Sequence, residues 1–496
     1  MKKLIFLTLF VFPLLAGALS HSDGIEYPFY HEDHSGETQV MPLHFGEEAY
    51  QLRLELVRRA QKTIDVEYYI YNMDVAGKIF THELIRAAER GVKVRILVDK
   101  LATELNPFVA HDLLEKGIEL KFYNTNVFFK IGAINFRNHR KLLIVDGAEA
   151  ITGGRNMADD YFNLAEKYNY EDRDVYVKGP IVEAMKDSFE AFYNHKIVHS
   201  QKRPSRPRLR SNGRGAPDGL AQQKSWDRAV KKSQEFLKET EEELIVRAAI
   251  EKAAAAQLAN KNIYPCPVAT FVTDSPGATE SKTGKGYEDK YRHVRKTFLD
   301  KILPIDKSLI VSSPYFIPSK QTTETFEELL EKGVDVSLYT NSLRSTDVLL
   351  MSSGLYLRLR GWLKKGMHVL FNDAHFSERQ TPALETAKTS HWGTHAKTHI
   401  YETSTYSEVM IGTYNLDNRS DYFNTELAFF CKGNDDYTQD VKADVLGLAS
   451  KGLRVESLSH AIDRNGEKIN ITGSSGFKQL KMKLFTIPSW LMTHLL

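Results

Sequence analysis

The sequence predicts an α/β protein built from two similar halves. Three observations point there. A histidine-centred stretch, NHRKLLIVDGAEAITGGRN (138–156), has a second version far downstream, THAKTHIYETSTYSEVMIGTYN (394–415). Strand-like and helix-like segments alternate ahead of each copy, as in a parallel α/β sheet. The segments also match in pairs: AAERGVKVRILVD with LLEKGVDVSLYTN, and LLEKGIELKFYN with WLKKGMHVLFND. Internal repetition of this kind decides architecture before any single motif does.

In chain order, residues 21–39 form a polar lead expected to be loose. A helix is expected from Glu47 to Ala60, with Leu52, Leu56 and Val57 on one face. Thr63 to Tyr71 is rich in β-branched and aromatic residues and reads as a strand. Ala76 to Arg90 reads as a helix stopped by Gly91, then Val92 to Val98 as a strand. Pro107 to Lys116 and Ile118 to Tyr123 repeat the unit around Gly117. The second half gives Ser308 to Phe316, Thr322 to Lys332 with Gly333, Val334 to Thr340, Asp347 to Lys365 with Gly366, and Met367 to Phe371. These segments predict a first lobe over 40–200, a basic linker and helical connection over 201–262, a second lobe over 263–450, and a C-terminal extension over 451–496.

Composition narrows the function little. The 496 residues carry a formal net charge of +2, and 26% are charged, so overall charge names no partner. A hydrophobic share of 42% and an aromatic share of 11% exclude global disorder. Residues 1–20 have the pattern of an export signal: Lys2 and Lys3, an apolar run from Leu4 to Leu15, then small residues to Ser20. An uncleaved anchor is the alternative, against which the run is short. Cys266 and Cys431 either pair or remain two small buried thiols.

The linker opens with Lys202, Arg203, Arg206, Arg208, Arg210 and Arg214 among Pro and Gly. That run is either a solvated surface loop or an attraction for anionic lipid or nucleic acid. Trp226 to Leu258 reads as helical. Gly284-Lys285-Gly286 lacks the full phosphate-loop pattern and receives no nucleotide role. Residues 477–496 mix Trp490, Phe485 and leucines with Lys478, Lys481 and Lys483, fitting a membrane interface or a helix docked on the core.

The motifs suit phosphoryl chemistry. Histidine serves as nucleophile or proton carrier near neutral pH. A lysine two residues along a strand projects from the same face, so Lys141 accompanies His139 and Lys397 accompanies His395. Gly153 and Gly154 let backbone approach a bound group, and Asn156 and Asn415 offer amide donors. Two such sets surround one phosphodiester, and lysines with amides supply the electrostatic stabilisation without a metal or cofactor.

HRKLLIVD with GGRN, and HAKTHIYE with GTYNLDNRSDYFNTEL, resemble the paired motifs of the phospholipase D superfamily, over about residues 40 to 475. Within it, EDRDVYVKGPIV and TNSLRSTDV resemble bacterial cardiolipin synthases. The resemblance implies two α/β/α lobes related by pseudo-twofold symmetry, with the active site in the cleft between them. It implies phosphatidyl transfer through a phosphohistidine, His139 being the nucleophile and His395 the general acid. It implies that Lys141, Lys397, Asn156 and Asn415 bind phosphate oxygens, and that Asp172 and Glu426 orient the histidines. Asp146 and Glu402 complete its HxKxxxxD pattern, and the chain departs there by having Glu402 in place of Asp. If Glu402 is structural, that change is tolerable. His399, in the same stretch, is expected to be exposed or pore-lining.

The implied substrates are phosphatidylglycerol and phosphatidylethanolamine, met at the periplasmic membrane surface. A phospholipase D hydrolase, a nuclease and a catalytically weak membrane scaffold are the competing functions. The ordinary charge balance disfavours nucleic acid.

Overall fold

The computed structural model describes residues 25–124, 135–207, 217–277, 289–375 and 382–471. The export-signal stretch, the Gly284-Lys285-Gly286 loop and residues 477–496 lie outside them, as do Arg208, Arg210 and Arg214.

The duplication appears as a repeated strand order. In one sheet the strands run Ile118–Tyr123, Lys93–Asp99, Thr63–Tyr68, Leu142–Val145, Glu149–Gly153, Asp174–Lys178. In the other they run His368–Asn372, Asp335–Asn341, Ser308–Ser312, Thr398–Glu402, Ser407–Gly412, Leu427–Lys432. The helix stops repeat as well: Gly91, Gly117, Gly333 and Gly366 have φ between 80° and 93°, a left-handed turn that favours glycine.

The sheets are mixed rather than parallel. In each, the strands before the histidine motif are parallel to one another. Leu142–Val145 and Thr398–Glu402 then pair antiparallel with Thr63–Tyr68 and Ser308–Ser312. A parallel neighbour needs a crossover that returns the chain to the starting edge. Each motif strand instead starts at the edge where the parallel strands finish, so the two histidines sit at that edge.

Both faces of the motif strands are covered. Leu143 and Val145 pack with Ile64, Val66 and the first lobe's helices. Leu142 and Ile144 join Ile400, Val409, Ile411 and Phe429 in a core shared by the two sheets. Period-2 alternation thus fixes each strand to its own lobe and to the partner lobe together.

Several boundaries move. The expected loose lead contains Tyr30–Asp33, which pairs with Val268–Thr273 on the second lobe's sheet. Gln39–Leu43 pairs with Asp174–Lys178 on the first. The helices Pro217–Phe236 and Glu241–Ala259 are a layer of the first lobe, with Phe236, Ile250 and Ala254 buried. Within the basic run, Arg206 lies over the Trp226 ring at 5.7 Å. Leu453–Val455, His460–Ile462 and Lys468–Asn470 extend the second sheet's edge, so the lobe continues past 450. Cys266 and Cys431 form a disulfide.

Candidate active site

The lobes exchange backbone where the histidines emerge. His391–Thr394 pairs in parallel with Tyr168–Glu171, and the next amide, His395 N, donates to Glu171 O at 2.7 Å. At the pseudo-equivalent place Asn138 bridges Thr425, and His139 N donates to Thr425 O at 3.0 Å. Each histidine therefore arrives beside the residue that follows the other lobe's bridging residue, Glu171 or Thr425, and that residue is a carboxylate. His139 Nδ1 lies 2.8 Å from Glu426 Oε2, and His395 Nδ1 lies 2.8 Å from Asp172 Oδ2.

The carboxylates are supported differently. Asp172 accepts from Arg173 N at 2.7 Å, and a Cβ on Gly154 would meet Asp172 Oδ1 at 2.1 Å. The longer Glu426 accepts from the hydroxyl of Thr413, the residue replacing that glycine, from Ser420 Oγ at 2.7 Å and from Asn424 Nδ2 at 3.1 Å. The close approach the glycine pair permits is thus to Asp172 and Asp174, and not to a bound group as the motif alone suggests.

Charge follows from this packing. Burial lowers the His139 pKa to about 4, reinforced by Lys141 and opposed by Glu426. Burial and Lys397 lower His395, against Asp172. Burial alone would raise the carboxyls, but the histidines and lysines hold Asp172 and Glu426 down to about 2. At neutral pH His139 is a neutral imidazole donating Nδ1–H to the ionised Glu426, with Nε2 left available, whereas Lys397 Nζ lies 3.1 Å from His395 Nε2 and 2.8 Å from its Nδ1. Lys141 and Lys397 are buried, and their ammonium groups donate to the carbonyls of His139 and His395 at 2.6 Å. Burial lowers Lys141 to about 7, with Lys397 adding repulsion, and lowers Lys397 to about 8.

His139, His395, Asn156 and Asn415 line one cleft of about 530 Å³. Asn156 Oδ1 accepts from Ile70 N at 3.1 Å, while its buried Nδ2 makes no hydrogen bond among the described residues. The unpartnered buried atom of Asn415 is instead its acceptor, Oδ1. An unpaired buried donor is costly, so Asn156 Nδ2 marks where an oxyanion fits.

Two expected members are corrected. Asp146 lies at the far end of its strand, about 16 Å along from Lys141. Its carboxylate accepts from the backbone amides of Gln61, Lys62 and Thr63. Glu402 accepts from the Ser308 hydroxyl and from Lys442 Nζ at 2.7 Å. Both acids brace strand ends, and neither joins the cleft. His399 is also corrected: it is fully buried, 5.1 Å from the Phe298 ring and 3.2 Å from Tyr401 Oη, and burial lowers its pKa to about 3.

Other residues, outside the His–Lys–Asn pattern, complete the cleft. Tyr69 lies edge-on to His139 at 5.0 Å, and Tyr161 and Tyr170 flank His395 at 5.1 and 5.0 Å. At the mouth Tyr170 and Tyr315 hydroxyls donate to Asp347 at 2.9 Å, beside Val348, Leu350 and Met351. Arg419 adds a cation. The DYF repeat, 160–162 and 421–423, was a signal for Tyr161. Among the described residues a cluster with metal-ligand proximity, His111, Asp112 and Glu115, lies outside this cleft.

The chain matches the family described as cardiolipin synthase, PLD-like domain, over residues 54–193 and 300–445. It is 27% identical to cardiolipin synthase C of Escherichia coli K12, over 80% of this chain and 82% of that one. It is 30% identical to an uncharacterized protein of Helicobacter pylori J99, over 77% of this chain and 74% of that one. The fold resembles phosphatidylserine synthase of Haemophilus influenzae Rd KW20, with a TM-score of 0.61 at 14% identity, covering 92% and 95% of the two chains. With two lobes of matched strand order and a family match in each, the chain belongs to the cardiolipin synthase, PLD-like domain family, an enzyme family of the phospholipase D superfamily.

Proposed function

We propose that the protein is a cardiolipin synthase-type phosphatidyltransferase acting through a phosphohistidine. The observation that carries this reading is the crossed pairing of His139 with Glu426 and His395 with Asp172 around one cleft. Such a site offers one nucleophile and one proton carrier to a single phosphodiester.

In this reading His139 Nε2 attacks phosphorus, and the bond to the donor's headgroup oxygen breaks. His395 enters this step as an imidazolium beside the ionised Asp172, gives its Nε2 proton to that oxygen and is left neutral. The acceptor hydroxyl then gives its proton to His395 as its oxygen bonds to phosphorus and the His139–phosphorus bond breaks. Lys141, Lys397 and the Asn156 and Asn415 amides stabilise the oxygens as charge builds.

Phospholipids are the proposed substrates, phosphatidylglycerol first, with phosphatidylethanolamine as a second participant. The apolar lip of Val348, Leu350 and Met351 supports a lipid over a free sugar phosphate. Export to the periplasmic membrane surface is part of the proposal, and the Cys266–Cys431 disulfide supports an oxidising compartment. Peripheral contact with the membrane is also part of the proposal; among the described residues no helix is long and apolar enough to cross a membrane.

The test incubates purified full-length protein with labelled phosphatidylglycerol, with and without phosphatidylethanolamine, and resolves the lipids. Cardiolipin that disappears with His139→Asn is the expected result. Phosphatidic acid as sole product would move the assignment to a hydrolase. No lipid turnover together with DNA cleavage would overturn both.

A further inference from the structure

A second cavity, of about 810 Å³, lies beside the cleft and has no part in the chemistry above. It is walled by the helices Lys320–Glu331 and Leu349–Lys364 and by the segment 418–423. Pro318, Tyr422 and Phe423 give it apolar surface, and Ser319, Thr323 and Asn418 give it polar groups.

Its charges are unevenly matched. Lys320 lies 3.6 Å from Glu324, and Glu327 lies 3.5 Å from Lys365. Arg358 is half-buried and makes no ion pair with a carboxylate among the described residues; its Nη1 donates weakly to Gly354 O at 3.5 Å. Burial lowers its pKa. A guanidinium in that setting is suited to a phosphate, which it grips through two parallel N–H donors.

The cavity and the cleft share two walls. Asn418, Tyr422 and Phe423 face the cavity, while Arg419 and Asn424 from the same segment face the cleft. On the helix Leu349–Lys364, Met351 lines the cleft and Arg358 lines the cavity. These two are seven residues apart, so they share a helix face about 10 Å apart along the axis. A phosphate held by the long Arg358 side chain thus leaves its own headgroup within reach of the cleft.

We infer that this cavity binds the phosphodiester of the acceptor phospholipid, with Arg358 as its anion partner, and so presents the acceptor's headgroup hydroxyl to the cleft. This inference rests on the phosphatidyl-transfer reading. The hydroxyl oxygen bonds to phosphorus as the His139–phosphorus bond breaks, and its proton passes to His395. Water needs no such hold, so the cavity favours transfer over hydrolysis.

The experiment measures cardiolipin and phosphatidic acid formed from labelled phosphatidylglycerol by the full-length protein, Arg358→Gln and Arg358→Lys, each checked by thermal melting. Expected for Arg358→Gln is a fall of about tenfold or more in the cardiolipin-to-phosphatidic acid ratio, with a raised KM for acceptor, and partial recovery in Arg358→Lys. An unchanged ratio and KM would overturn the inference while leaving phosphatidyl transfer intact. If the unaltered protein makes no cardiolipin, the transfer reading fails instead, and a binding measurement decides the cavity. Dihexanoyl phosphatidylglycerol is titrated into His139→Asn protein with and without Arg358→Gln. Two binding events reduced to one support the cavity site, and equal stoichiometry sinks it. Inorganic phosphate binding as tightly as the lipid at Arg358 would overturn the lipid assignment.

Discussion

Glu426 accepts a hydrogen bond from His139 Nδ1 at 2.8 Å across 287 residues of chain, and the two belong to different lobes. Neither lobe alone holds an oriented histidine. Glu426→Gln keeps the shape but removes the charge that fixes the tautomer. Loss of a histidine-orienting carboxylate costs on the order of 10⁴-fold in kcat in a well-studied hydrolase. A fall of about 10²–10⁴-fold in kcat is therefore expected here, with little change in KM, and likewise for Asp172→Asn. A steady-state assay that found either variant near full rate would sink the crossed-pair mechanism.

The two carboxylates differ in length, and their neighbours compensate. A Cβ on Gly154 would meet Asp172 Oδ1 at 2.1 Å, so Gly154→Ala displaces the acid that orients His395. Thr413→Gly instead strips a hydroxyl donor from Glu426. Each is expected to lower kcat by roughly 10–100-fold, as when a supporting hydrogen bond is lost, while the circular dichroism spectrum is kept. Full activity in Gly154→Ala would show that Asp172 does not need its present position.

Burial sets an unusual pH window. With its pKa lowered to about 4, His139 keeps its lone pair until the pH falls through about 4, not 6.5. With Lys141 near 7 and Lys397 near 8, the ammonium charge beside the two histidines is lost as the pH rises through that range. The profile of kcat/KM, which reports the free enzyme, is expected to have an acid limb near 4 and an alkaline fall that begins below 6.5, as the lowered His395 loses the proton it must deliver, and steepens through the range in which the lysines discharge. An alkaline limb that sets in only near 10 would mean that neither His395 nor the lysines are held as described.

Asp146 and Glu402 brace strand ends, so their effects fall on stability. Asp146→Asn is expected to cost about 1 kcal/mol through weakened hydrogen bonds to three backbone amides, with kcat/KM within about threefold. The Asp146 pKa is lowered by those amides against burial. Its stabilisation is therefore present above the unfolded pKa and lost as the pH falls through the lower folded value. Glu402→Asp keeps the charge but shortens the reach to Lys442, so activity stays the same or rises. Urea denaturation alongside lipid assays checks both, and a large loss of activity in Glu402→Asp would contradict its structural role.

The disulfide closes a loop of 165 residues. Replacing Cys266 and Cys431 by Ala is expected to cost about 2–4 kcal/mol, read by denaturation, without changing the ratio of lipid products.

Much of the fold was legible because it is written locally. Gly91, Gly117, Gly333 and Gly366 announce helix ends wherever the rest of the chain goes, since the left-handed turn favours glycine. Leu142 to Val145 reads as a strand covered on both faces because each residue is apolar. The antiparallel entry of that strand was not legible. It depends on which edge of the sheet the chain has reached, which the local pattern does not record. Tyr30–Asp33 escaped for a similar reason, being a short polar edge strand whose partner lies more than two hundred residues away.

Two His–Lys sets, each on an apolar strand and each followed at a comparable place by Asn156 or Asn415, can be read along the chain alone. Spacing along a strand fixes which side chains share a face, so those pairs needed no tertiary information. Which carboxylate serves which histidine is set by how the two lobes pack. Asp172 lies nearer in sequence to His139, and Glu426 to His395, yet the parallel pairing between lobes crosses them. The same packing put Asp146 and Glu402 at the far strand ends, although their motif positions match. A hydrogen bond of 2.8 Å is a property of where two backbones meet, and sequence separation carries no information about that distance.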